Sequence, residues 1–193
     1  MTKTRLEAFS DAVIAIIITI MVLELKVPHE TNWDALAKLW PVFLSYAVSF
    51  INLGIYWGNH HHLIHTIRDV RGGMLWANLH LLFWLSLIPF ATAWMGENHF
   101  AENTVATYAL LADICGISYY ILLLVIKKCN PGNSTLQEVL HKQSRKGMLS
   151  CILYSLAIPV AYFSTAASGA MIIAVAVMWL IPDRNIEKVI SEN

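Results

Sequence analysis

Four of the eight histidines in this 193-residue chain crowd into "NHHHLIH", residues 59 to 65. His61 and His65 stand four apart and His62 and His65 three apart, so on a helix each pair shares a face at a spacing that suits metal ligation. A membrane di-iron enzyme or a haem protein would use such residues, but it would need further histidine clusters on other spans. Only His80 lies in another apolar run, and His29, His99 and His141 fall in loops. The spacing therefore points away from a metal centre, a bound cofactor and enzymatic chemistry. His60 to His65 read instead as the end of an apolar helix, where positive charge suits the dipole. Some of them are expected to bond to the Ser10–Asp11 end of the first helix.

That first helix holds the second group of polar side chains. "RLEAFSDAVIAIIITIMVLEL", residues 5 to 25, places Arg5, Ser10 and Asp11 at its start, and Thr19 is then the lone polar residue before Glu24. Ionisable groups at membrane depth are costly and usually face a partner. Arg5 and Asp11, six residues apart, point to different sides of a helix, so each is expected to reach a different neighbour. "TRLE" at 4 to 7 reads as a capping box, with Thr4 accepting from the N–H of Glu7. Phe9, Ala12, Ile16, Ile20 and Leu23 form one stripe at helical spacing, with Thr19 on its edge. Two readings of Thr19 stay open. In one it bonds back to the carbonyl of Ala15, as threonine does in membrane helices. In the other the stripe lines a pore built with symmetry copies of itself.

Asp113 is the remaining group with chemical potential. A carboxylate within a membrane span can relay protons in a secondary transporter, together with the histidines, or can bond to a neighbour's hydroxyl or indole. Asn52, Asn78, Ser45, Ser49 and Gly116 read as polar glue and close packing between helices.

These groups need a scaffold, and the composition names its solvent. Apolar residues make up 57% of the chain and charged residues 13%, with a mean hydropathy of +0.56. A soluble domain carries about twice that charge fraction. The formal net charge is zero and there is no basic stripe, so no nucleic-acid partner is expected. Three cysteines, Cys115, Cys129 and Cys151, are widely spaced and frame neither a disulfide scaffold nor a CxxC pair.

Six spans are expected in a single all-helical domain over residues 1–193: Leu6 to Leu25, Ala37 to Ile64, Met74 to Met95, Thr104 to Ile126, Met148 to Ser164 and Ala167 to Ile181. "STAASGA" between the last two reads as a tight hairpin turn. Pro41, Pro89 and Pro159 lie inside spans, where neighbouring helices can satisfy the freed carbonyls. Trp33, Trp40, Trp76, Trp94 and Trp179 sit near span ends as interfacial anchors. With both termini inside, eleven lysines and arginines fall on the inner side and only Lys26 and Lys38 outside, a positive-inside pattern.

On these residues the chain resembles a known family. Arg5-x-x-x-Phe9-Ser10-Asp11 is similar to the signature of the lysosomal transmembrane-protein-175 potassium channels and their short prokaryotic relatives. "IYWGNHHHL" (55 to 63), "LWANLHLLF" (75 to 83) and "LIPFAT" (87 to 92) extend the likeness to about residue 95, through Trp57, His60, His61 and Asn78. The resemblance implies a homotetramer in a prokaryotic plasma membrane that passes potassium and other monovalent cations through a pore lined by the first helix. It places a hydrophobic constriction at Ile16, further apolar rings at Ile20 and Leu23, and selectivity at Thr19. Arg5, Phe9, Ser10 and Asp11 would clamp the pore helix, supported by Trp57, His60, His61 and Asn78.

Overall fold

The computed structural model describes residues 2–67, 70–129 and 134–180. Every regular element among them is helical: α1 (Lys3–Ile20), a 3₁₀ turn (Met21–Glu24), α2 (Trp33–Ala37), α3 (Trp40–His65), α4 (Gly72–Leu85), α5 (Ile88–Glu97), α6 (Glu102–Cys129), α7 (Ser134–Ala161) and α8 (Thr165–Leu180). Among the described residues, three helical segments are long and apolar enough to cross a membrane by length and composition: Lys3–Glu24, Gly72–Glu97 and Glu102–Cys129. Arg68, Arg184 and Lys188, which enter the inner-side charge count, and Ile181 lie outside the described residues.

Helix α1 begins earlier than the capping-box reading places it. Thr2 is the cap, its hydroxyl accepting from the N–H of Arg5 at 3.4 Å, and Thr4 is already inside the helix. A hydroxyl in extended conformation two residues upstream meets the same need, which is to satisfy a donor the first turn leaves orphaned. At its other end α1 tightens into the 3₁₀ turn and stops at Leu25 in extended conformation, ahead of Pro28.

The third expected span is broken. α4 ends at Leu85, and Pro89 stands in the first turn of α5, where its missing N–H and fixed φ do least harm. The segment between remains turned, the N–H groups of Ser86 and Leu87 donating to the carbonyls of Leu82 and Trp84. Pro41 occupies the equivalent position in α3. α5 then lies so close to α3 that a Cβ on Gly96 would come within 2.5 Å of Ser45 Oγ and 2.8 Å of Val42 Cα. Only glycine fits there.

The last two helices form the expected hairpin, with shifted limits. α7 starts at Ser134, well before Met148, because residues 140, 143, 147 and 150 continue a buried helical stripe through a polar stretch. The turn is Tyr162–Ser164, and most of "STAASGA" belongs to α8. Ser164 Oγ caps α8 by accepting from Ala167 N–H, and Ser168 Oγ donates to the Ala157 carbonyl across the hairpin at 2.8 Å.

α6 is the centre of the bundle. Tyr108, Ala109, Ala112, Cys115 and Leu122 are fully buried, and the helix packs on α4, α5, α7 and α8. A buried polar chain fixes the middle: Thr92 Oγ1 of α5 donates to Ser49 Oγ of α3, which bonds to the hydroxyl of Tyr108 at 2.9 Å. α1 lies at the edge, against α3, α4 and α5.

Candidate functional site

The face α1 turns inward is Leu6, Ser10, Ile14, Ile17 and Met21, all buried. The opposite face carries the sequence stripe. Phe9, Ala12, Ile16, Thr19, Ile20 and Leu23 are all exposed, Ile16 at 58% and Leu23 at 78% of full accessibility. Side chains three apart eclipse in a 3₁₀ turn, so Leu23 stays above Ile20 although the α-helix has ended. The structure thus brings the expected constriction residues and Thr19 onto one continuous uncovered surface.

Thr19 makes the backbone bond that one reading anticipates. Its hydroxyl reaches the carbonyls of both Ala15 and Ile16 at 3.0 Å. A hydroxyl has one proton and two lone pairs, and the proton is taken up by the helix. Whatever approaches Thr19 from the open side meets oxygen lone pairs.

Behind this surface, α1 and α3 are joined by a ladder with one rung per helical turn. Trp57 Nε1 donates to Asp11 Oδ1 at 3.0 Å, His61 Nδ1 lies 3.1 Å from Glu7 Oε1, and Lys3 Nζ donates to the carbonyl of His65 at 2.6 Å. The residue numbers fall by four on α1 as they rise by four on α3, which is what antiparallel helices at i, i+4 spacing require. A second tie runs through α4. Asn78 Nδ2 donates to Ser10 Oγ at 2.9 Å, and Asn78 Oδ1 accepts from His60 Nε2 at 2.6 Å. Ser10 passes its own proton to the Leu6 carbonyl. With Ser10, His60 and Asn78 all buried, losing one member strands the others in a medium that cannot solvate them.

Of the expected clamp residues, Ser10 and Asp11 bond to neighbouring helices within the chain, through Asn78 and Trp57. Arg5 and Phe9 are exposed. The histidine cluster meets α1 as expected, but His60 reaches Ser10 through Asn78. Glu7, a cap residue in the sequence reading, lies against His61. Glu7 and Asp11 are one turn apart, as are Trp57 and His61, but spacing within each helix does not set the two opposite each other.

Asp113 belongs elsewhere. Ser155 Oγ of α7 donates to Asp113 Oδ2 at 2.7 Å, the hydroxyl partnership that was one of its two readings. At the far end of α1 a surface tie joins Lys26 to Glu97 at the end of α5, at 2.5 Å. That hydrogen bond, and then the Glu97 charge, hold the Lys26 ammonium above its ordinary pKa.

Comparison with known proteins shows what the chain and its fold are similar to. Residues 5–89 match the family model described as the endosomal/lysosomal potassium channel TMEM175. The chain is 53% identical over 193 residues to a potassium channel of Chryseobacterium sp. (strain P1-3), covering 100% of both. It is 27% identical over 159 residues to the endosomal/lysosomal proton channel TMEM175 of Gallus gallus, spanning 76% of this chain but 31% of that longer protein. Its fold matches the crystal structure of a lysosomal potassium-selective channel TMEM175 homolog from Chamaesiphon minutus, with TM-score 0.73 and 24% identity over 92% of this chain and 96% of that one. The matching family and these relatives are channels rather than enzymes.

Proposed function

Since the chain belongs to the TMEM175 family, we propose that it is a passive, potassium-selective channel of a prokaryotic plasma membrane, a homotetramer whose pore is lined by α1. In this reading α1, α3, the broken α4–α5 unit, α6, α7 and α8 are six spans, and both termini are cytoplasmic. The observation that carries it is the uncovered stripe on α1. A membrane helix bonded to its neighbours on one face, and bearing a single hydroxyl among isoleucines on the other, suits a symmetry axis.

The chemistry then follows from four copies. A narrow ring of Ile16 side chains offers ions no ligand and can empty of water, so it is a barrier. Ile20 and Leu23 extend the apolar lining. At Thr19 four hydroxyls, each with its proton turned back to the helix, present oxygen lone pairs to the axis and replace part of a cation's hydration shell. Potassium surrenders its water more cheaply than sodium, so so few ligands give real but modest selectivity. Asp11 and Ser10 hold α1 from inside the subunit, and Arg5 and Phe9 face outward, where the adjoining subunit stands.

The test is a reversal potential from purified protein in planar bilayers under a potassium–sodium gradient, with native mass spectrometry of the same sample. Unitary currents reversing toward the potassium potential, from a tetramer, are expected. Saturable, ion-coupled uptake without unitary currents would make it a transporter, and monomers or dimers across mild conditions would remove the central pore.

A further inference from the structure

The middle rung of the α1–α3 ladder has a geometry that an ordinary ion pair does not explain. His61 Nδ1 and Glu7 Oε1 are 3.1 Å apart, yet His61 Nδ1 makes no aligned hydrogen bond. A charged histidine donating to a carboxylate lines up its N–H with the oxygen. One turn further along α3, His65 brings a third donor, and ligand atoms of Glu7, His61 and His65 all lie within 4.8 Å of one another.

We propose that Glu7, His61 and His65 form a site for one first-row transition-metal ion, zinc(II) foremost, that bridges α1 to α3. Zinc holds imidazole nitrogen and carboxylate oxygen at about 2.0–2.2 Å, so tetrahedral ligands sit roughly 3.4 Å from each other. The Glu7–His61 pair is already near that spacing. His65 is exposed, so its side chain can turn in without disturbing the core. Two imidazoles at i, i+4 on one helix and a carboxylate from another make three protein ligands, leaving the fourth position to water. Imidazole favours zinc, nickel and copper, whereas magnesium and calcium demand oxygen. Trp57 packs beside the His61 ring, with centroids 6.2 Å apart, and restricts its orientation. Lys3 disfavours the ion: its ammonium, bonded to the His65 carbonyl, adds a positive charge at the same turn of α3.

Histidine spacing alone argued against a metal because no second histidine cluster exists on another span. The third ligand is instead a carboxylate on α1, visible only once the helices are paired. An ion here would fasten the polar end of α1 to α3 and so alter conduction, a consequence that rests on α1 lining the pore; binding itself does not.

The experiment titrates zinc(II) and nickel(II) into the full-length protein, purified without a polyhistidine tag, by calorimetry. One ion per chain is expected, with no comparable binding of magnesium or calcium. His65→Ala and Glu7→Gln should each weaken binding by more than about tenfold, since removing a residue that merely hydrogen-bonds to a ligand already costs roughly 10–100-fold. His65→Cys should retain zinc. Absence of saturable binding, or equal affinity in a folded His65→Ala variant, would overturn the site. Zinc should also change potassium flux through the wild type and not through His65→Ala. Binding with unchanged flux would remove the regulatory consequence, whereas zinc binding to a protein that conducts nothing would count against the channel and leave the site standing.

Discussion

The Lys3–Glu24 segment, α1 with its 3₁₀ turn, and α6 have the same mean hydropathy, 2.2 over their most apolar windows, yet 28% of that window is buried in the first and 56% in the second. In water such equality would put both in the core. In a bilayer, lipid, a protein interior and a dewetted pore all accept the same side chains, so hydropathy locates a span and says little about what the span faces. The difference lies in the small and polar residues. α6 uses Ala109, Ala112 and Gly116 to let neighbours approach, and Tyr108 to bond across the bundle. α1 keeps its polar ties, Ser10, Asp11 and Glu7, on and beside one face and leaves isoleucines and Thr19 on the other.

Enlarging a buried site should therefore separate the two helices most sharply. Ala112→Phe places a ring where no space exists, and overpacking costs typically about 1–3 kcal/mol or more; loss of folded protein in size-exclusion profiles is expected. Ile16→Trp also adds bulk, on α1, and under the proposed function should leave a folded assembly that carries no current, while Ile16→Asn, which would hold water at the proposed constriction, should raise conductance. If Ile16→Trp conducts normally at equal expression, the exposed stripe faces lipid.

A smaller effect is expected from the ties that hold α1. Asn78→Ala strands Ser10 and His60, with a cost of roughly 1–3 kcal/mol for each buried group left unsatisfied. Thermal unfolding should shift down and tetramer yield should fall, with selectivity unchanged in the channels that remain. An Asn78→Ala protein as stable as the wild type would mean that the buried polar tie does not position α1.

The smallest effect belongs to the Lys26–Glu97 pair. Its ammonium has a raised pKa in the folded protein, so any stabilisation is fully present below the ordinary lysine value and is lost as pH rises through the folded one. That window is strongly alkaline. Both partners are exposed and screened, so Lys26→Gln should produce no resolvable change in unfolding at neutral pH. A clear loss of stability would assign the far end of α1 a role that the ladder at its start holds in this account.

Much of this was legible in the residues. Apolar run length marked the long helices and the α7–α8 hairpin, and the 3.6-residue period identified the stripe on α1. The break before Pro89 was less visible, because proline is tolerated in the first turn of a new helix as well as inside a membrane span. The upstream half of α7 escaped because its buried stripe includes Gln143 and Gly147, which do not read as apolar. Glu7 escaped because its partnership depends on the pairing of α1 with α3. Spacing within one helix places residues on a face; it does not say which turn of another helix lies opposite.

The central claim is that ions pass the exposed face of α1 at Thr19, and selectivity in Thr19 variants tests it most directly. Thr19→Val keeps the shape and removes the oxygen from every subunit at once, whereas Thr19→Ser keeps the oxygen. Since about 1.4 kcal/mol is a tenfold ratio, a few tenths lost at each of four hydroxyls shifts a reversal potential measurably. The account predicts a lower preference for potassium over sodium in Thr19→Val and most of the preference retained in Thr19→Ser. Intact currents with unchanged selectivity in Thr19→Val would contradict it and leave Thr19 bonded only to its own helix.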